Sequence, residues 1–177
     1  RIYVHSSIAK PFTELLVEKI RKITIGDPSR KENWLGPVIN KSSWEKFAGF
    51  ADMGRRDGRI LAGGAQLREE PHSHGWFAQP TLIGGLPKDH NLAREEMFLP
   101  ISCLWEIDSL DEALTLANRT EFGLTAGLFS RDDAEIRRFF DRIEAGVVYV
   151  NRRAGATTGA WPGINPFGGW KGSGSSG

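Results

Sequence analysis

The side chains in this sequence with the chemistry to act on a small molecule are few and widely spaced. Glu95 and Glu96 form an adjacent carboxylate pair, with Phe98 and Pro100 just downstream. On composition alone, neighbouring glutamates read as solvated surface groups and an isolated phenylalanine as core. Cys103 is the single thiol, which excludes an internal disulfide and any multi-cysteine zinc site. It stands within Ile101-Ser102-Cys103-Leu104-Trp105, where an apolar setting raises a thiol's pKa and quiets it, so it reads as a small buried hydrophobe. Asn151 ends the best strand in the chain, a common place for functional groups in parallel α/β sheets. Its side-chain hydrogen bonds are expected to orient the loop that follows. That loop carries Gly159-Ala160. Further along come Phe167, two glycines that allow a sharp turn, and Lys171, read as a structural or surface cation.

Other patterns fail in context. Gly172 to Gly177 spells G-x-G-x-x-G, but it follows no strand, opens no helix and has no acid downstream, so it is a loop end rather than a dinucleotide fingerprint. Lys171 is not framed as a Walker A lysine. His72-Ser73-His74 has ligand chemistry without a third ligand nearby, and its position between Pro71 and Gly75 makes it a surface loop.

The elements that must position these groups follow from periodicity. Ile2-Tyr3-Val4 is a short buried strand with no lead-in, as in a piece of a longer chain. A helix is predicted over 9–25, with Phe12, Leu15, Leu16, Ile20 and Ile23 on one stripe and Pro11 in its first turn. Gly26-Asp27-Pro28 ends it. Ser42 is the expected N-cap of a second helix over 43–56, with Glu45 as its capping-box partner. A strand over 59–64 carries glycines suited to close packing. The stretch 75–83 is a strand broken by Pro80, which belongs at an edge or bulge. Residues 101–107 form a strand covered on both faces. Ser109 caps a helix over 110–117, a strand from Ala126 takes in Phe129, and Asp132 or Asp133 caps a helix ending near Arg142. Strands alternating with helices indicate an α/β fold, a mostly parallel sheet with flanking helices. From residue 144 on, 9 of the 21 glycines fall within 34 residues, so the tail reads as one long loop. A loop of that length in a compact domain is functional or disordered, and Trp161, Ile164, Phe167 and Trp170 favour a packed one.

Length and charge limit the function classes. A chain of 177 residues suits one sizeable domain. With 23 basic and 22 acidic side chains spread along it, there is no electrostatic footprint for nucleic acid or an anionic membrane. No apolar run approaches the roughly 20 residues of a membrane span and no signal-peptide core is visible, so the cytoplasm is the default location.

Three separated stretches, in order, resemble the aldehyde dehydrogenase family. Glu95-Glu96-Met97-Phe98-Leu99-Pro100 is similar to its Glu-Glu-x-Phe-x-Pro segment. The run from Asn118 to Phe129 resembles its Asn-x-x-x-aromatic-Gly-Leu-x-Ala-x-Val-Phe stretch, and Pro166-Phe167-Gly168-Gly169-Trp170-Lys171-Gly172-Ser173-Gly174 its Pro-Phe-Gly-Gly-x-Lys-x-Ser-Gly loop. Gly26-Asp27-Pro28, Gly36-Pro37-Val38 and Gly75-Trp76-Phe77 add supporting matches. The resemblance implies that residues 1–177 are the C-terminal part of that family's catalytic domain, truncated at both ends, with 143–177 as the substrate or anchor-loop region. It implies no catalytic residue in this segment, because the family's nucleophilic cysteine and general base lie upstream. It also implies NAD or NADP as cofactor, with Glu96 on the nicotinamide-side ribose and Phe98 beside the nicotinamide ring. Phe167 would form a wall of the aldehyde tunnel. The stretch Ala156 to Gly163 resembles the anchor loop of 1-pyrroline-5-carboxylate dehydrogenases, so Gly159 and Ala160 would hold the carboxylate of L-glutamate γ-semialdehyde, although Trp161-Pro162 departs from the usual smaller aliphatic pair. The implied partners are a small-molecule aldehyde and further copies of the chain, in a homo-oligomer built through sequence outside this segment. The alternatives are a non-catalytic fold or assembly module, and an enzyme of the same family with another aldehyde.

Overall fold

Strand β1 (Ile2–His5) runs directly into helix α1 (Ser6–Arg21), because His5 sits in extended backbone and its Nδ1 accepts from the Ser7 N–H at 3.2 Å. The computed structural model describes residues 1–152 and 168–174, which divide into two compact units, Arg1–Ile107 and Asp108–Gly177.

In the first unit, α1 and α2 (Lys41–Asp57) accompany strands β2 (Arg59–Ala62), β3 (Gln66–Leu67), β4 (Phe77–Ala78), β5 (Thr81–Gly84) and β6 (Ile101–Ile107). The main sheet has the order β1-β6-β5-β2, parallel across β1/β6 and β6/β5 and antiparallel across β5/β2. The α/β expectation holds, with a mixed sheet. Alternation along β5 and β6 builds a core on each face. Ile83, Cys103 and Trp105 join Trp44, Phe47 and Ala51 of α2, whereas Leu82 and Leu104 join Val4, Ala62 and Ala9 of α1. Each fully buried side chain of this size contributes about 1.5–3 kcal/mol.

Several local expectations shift. Helix α1 starts at Ser6, so Pro11 lies in its second turn; the proline leaves only the exposed Ser7 carbonyl without an intrahelical donor. The stripe that packs is Ala9, Leu16, Val17 and Ile20, while Phe12 and Leu15 face outward. Helix α2 is capped by Asn40, not Ser42: Asn40 is extended and its Oδ1 accepts from the Ser43 N–H at 2.8 Å. Pro80 lies at neither an edge nor a bulge. It separates β4, which pairs with β3, from β5 in the main sheet. Gly63 is required where the chain leaves β2: its φ is +69°, and a Cβ there would meet the Pro80 carbonyl oxygen at 2.2 Å.

In the second unit, Ser109 caps α3 (Leu110–Asn118) by accepting from the Glu112 N–H at 3.2 Å. Strands β8 (Thr125–Leu128) and β9 (Val147–Val150) are parallel, joined by α4 (Asp133–Arg142), whose cap Asp132 accepts from Ala134 and Glu135 N–H groups. Leu114, Phe139 and Ile143 form the core, with Ala126, Leu128, Val148 and Val150 packed on it. Phe129 lies beyond β8 and is 70% exposed, which corrects its expected place in the strand. The tail is not wholly loop either, because β10 (Trp170–Lys171) pairs antiparallel with β7 (Phe122–Gly123). Among the described residues, no helix is long and apolar enough to cross a membrane.

Candidate functional site

The segment between the 3-10 turn Asn91–Ala93 and β6 brings Glu96 and Phe98 onto one loop, which the first unit holds at both ends. At its start, Leu92 and Ala93 are buried, and the Asn91 carbonyl accepts from the Arg94 and Glu95 N–H groups at 2.9 Å each. At its close, the Thr81 N–H donates to the Pro100 carbonyl at 2.8 Å, while Met97 and Leu99 pack on the core. Alternation then leaves Glu96 and Phe98 outside. Glu96 is exposed and makes no hydrogen bond or ion pair among the described residues. Phe98 is 87% exposed, so the sequence pattern that would make it core does not hold.

Phe98 also has φ +54°, a left-handed backbone conformation that costs a bulky residue about 1–3 kcal/mol. An exposed aromatic residue with a left-handed backbone, on the same loop as an exposed carboxylate, makes this loop the candidate site. Its chemistry suits a ligand presenting vicinal hydroxyls and a flat ring, since an ionised carboxylate can accept two hydroxyl bonds.

Residues that sequence reading passed over hold the start of this loop. His90 accepts from the Leu92 N–H through Nδ1 at 3.2 Å, and its Nε2 lies 3.1 Å from Asp57 Oδ2 at the end of α2. The Arg56 guanidinium, bound to Asp57 through Nε at 2.7 Å and a second nitrogen at 2.6 Å, together with His90, holds the Asp57 carboxyl down at about 2. No local pattern signals a pair 33 residues apart.

In the second unit, Gly159, Ala160 and Phe167 lie outside the described residues. The near end of their loop is well tied. Asn151 accepts from the Ser130 N–H at 3.1 Å and donates to the Ser130 carbonyl at 2.8 Å, which ties the end of β9 to the segment after β8; the loop that Asn151 is expected to orient lies outside the described residues. At the far end, Lys171 pairs with Glu144 and donates to the Asn118 carbonyl, and Asn118 bridges to Arg142 and Glu144 backbone. Ser173 Oγ accepts from the Gly123 N–H at 2.9 Å. Gly146 is required for close approach, since a Cβ there would lie 1.9 Å from the Gly168 carbonyl oxygen. Lys171 is thus a structural cation.

Cys103 sits in mid-sheet at 1% exposure, and burial pushes its thiol up to about 11. His72 places Nε2 at 2.9 Å from the Ile25 carbonyl and its ring edge on Phe77, while His74 stays exposed near Glu70.

An aldehyde dehydrogenase family model matches residues 1–177. Over 175 residues the chain is 35% identical to 1-pyrroline-5-carboxylate dehydrogenase 1 of Halalkalibacterium halodurans, covering 99% of this chain and 33% of that protein. It is 37% identical over 175 residues to betaine aldehyde dehydrogenase of Mesorhizobium japonicum, covering 98% of this chain and 35% of that protein. A solved structure of 1-pyrroline-5-carboxylate dehydrogenase from Thermus with bound NAD superposes with a TM-score of 0.85 at 29% identity, over 96% of this chain and 31% of that one. The chain spans about one third of the length of the curated relatives it matches.

Proposed function

This chain belongs to the aldehyde dehydrogenase family, and from that premise we propose that the protein carrying it oxidises an aldehyde to a carboxylate with NAD or NADP. The observation that carries the reading is the loop holding Glu96 and Phe98 outward, one ionisable and unpaired, the other aromatic and strained. These groups fit the nicotinamide end of the nucleotide. The Glu96 carboxylate accepts from the two ribose hydroxyls, and Phe98 limits the positions open to the flat ring beside it. When bound, the nucleotide supplies the hydride acceptor. In this reading the chain contributes the positioning part of a catalytic domain, and residues 143–177 form the substrate-loop region. The nucleophilic cysteine that forms the thioester, and the glutamate that activates water to hydrolyse it, belong to sequence upstream. Cys103 is too buried to serve as that nucleophile.

The substrate proposed is L-glutamate γ-semialdehyde, oxidised to L-glutamate as in proline degradation. Its support is the sequence Thr158-Gly159-Ala160, which resembles the carboxylate-anchoring step of 1-pyrroline-5-carboxylate dehydrogenases, and the 35% identity to one of them. A second reading, another aldehyde, is favoured by the equally similar betaine aldehyde dehydrogenase. A homo-oligomer in the cytoplasm completes the proposal.

The test is the intact mass of the purified protein together with aldehyde-dependent reduction of NAD and NADP. A polypeptide much longer than 19.6 kDa that prefers glutamate semialdehyde to a simple aliphatic aldehyde by at least about tenfold is expected. Equal rates on the two aldehydes would remove the anchor-loop argument. A species of 19.6 kDa that oxidises neither would make the chain a non-catalytic module.

A further inference from the structure

We infer that His90 is a positioning residue for the cofactor loop, transmitting the fixed end of α2 to Glu96 through one imidazole ring. The inference rests on the reading that Glu96 and Phe98 hold the nicotinamide nucleotide. Because Nδ1 accepts from the Leu92 N–H, it carries no proton, so the ring is the neutral tautomer whose Nε2–H donates to Asp57. The imidazole is only 12% exposed, and both of its nitrogens are engaged. Asp57 is a firm anchor. Its carboxylate would be disfavoured at a helix C-terminus, but Arg56 grips both oxygens. The turn that presents His90 is fixed as well: the Pro87 carbonyl accepts from the His90 N–H at 3.1 Å and from the Trp105 indole N–H, in the central strand β6, at 3.2 Å.

From His90 the path to Glu96 is short. The ring orders Leu92, whose side chain fills the core, and the Asn91 carbonyl binds the N–H of Glu95, the residue before Glu96. Without the ring, the backbone bonds of the 3-10 turn and the apolar packing of Leu92 and Ala93 would remain, but the side-chain tie between the end of α2 and this end of the loop would be lost. Small displacements matter at such sites, because a group placed about 1 Å off a productive geometry loses a large part of its contribution.

The experiment measures NAD binding by calorimetry, and steady-state kinetics, on the protein carrying this chain. His90→Ala is expected to raise the Kd and KM for NAD about tenfold while kcat at saturating NAD and KM for aldehyde stay within about twofold. Asp57→Ala should reproduce that change. Asp57→Asn, which still accepts from Nε2–H, should recover most of the affinity, whereas His90→Asn, which keeps the Leu92 contact but not the one to Asp57, should fall between His90→Ala and wild type. If His90→Ala does not fold, the Asp57→Ala and Asp57→Asn pair decides alone. The inference is overturned if the alanine variants bind NAD like wild type while Glu96→Gln loses affinity. It is equally overturned, along with the reading beneath it, if Glu96→Gln also binds like wild type.

Discussion

Phe98 combines two properties that cost a folded chain something, an exposed ring and a left-handed backbone, and neither has a structural return within its own unit. Such strain gathers where a ligand will be held. Cys103 makes the opposite case: one reactive group, buried between α2 and the sheet until its chemistry is lost. With the thiol at about 11, only about one molecule in a thousand is thiolate at pH 8. Native protein at pH 8 should therefore resist N-ethylmaleimide for hours, as read by intact mass, and label at Cys103 once denatured. Stoichiometric labelling of the folded protein within minutes would contradict the placement. Residue types alone sufficed to read Cys103, because a mostly apolar strand segment, Ile101 to Trp105, favours burial. They did not suffice for His90, whose meaning depends on Asp57 in a different element.

At the scale of elements, what was legible was what is local. Strand β6 falls over the predicted 101–107, and Ser109 and Asp132 cap their helices, because side-chain oxygens reach backbone N–H groups two or three residues on. The displaced features are those in which neighbours compete. Asn40 and Ser42 are comparable caps on paper, and the extended backbone at Asn40 decides between them. Phe12 and Leu15 are apolar like the residues that pack, so the apolar pattern alone does not decide which face of α1 meets the sheet. Strand β10, two residues in a glycine-rich tail, owes its existence to pairing with β7, which no local period reveals. Asn40→Ala should destabilise the fold by about 1 kcal/mol, a fall in Tm of about 2–4 °C by calorimetry. Ser42→Ala should stay within about 0.5 kcal/mol of wild type. If Ser42→Ala is the more damaging, the helix begins where the sequence alone places it.

For the whole molecule, the end-to-end family match and the superposition at TM-score 0.85 establish the ancestry and the α/β scaffold. The catalytic account is built on top of them. The family motifs were legible because turn glycines and a fixed Glu-x-Phe spacing are visible in sequence, whereas the geometry that pins their loops is made of long-range hydrogen bonds involving the Thr81 backbone, the Asn118 side chain and the Ser173 hydroxyl. The central claim is that Glu96 and Phe98 bind the nicotinamide nucleotide and do little for the fold. Calorimetric titration of NAD into wild type, Glu96→Gln and Phe98→Ala, with a melting curve for each, tests it most directly. A hydrogen bond to a charged group is worth about 1.5–3 kcal/mol, so Glu96→Gln should weaken binding about 10- to 100-fold. Phe98→Ala should weaken it as well, and both should melt within about 2 °C of wild type, since both side chains are exposed. Unchanged NAD affinity in both variants, or lost affinity only alongside a large fall in Tm, would contradict the account.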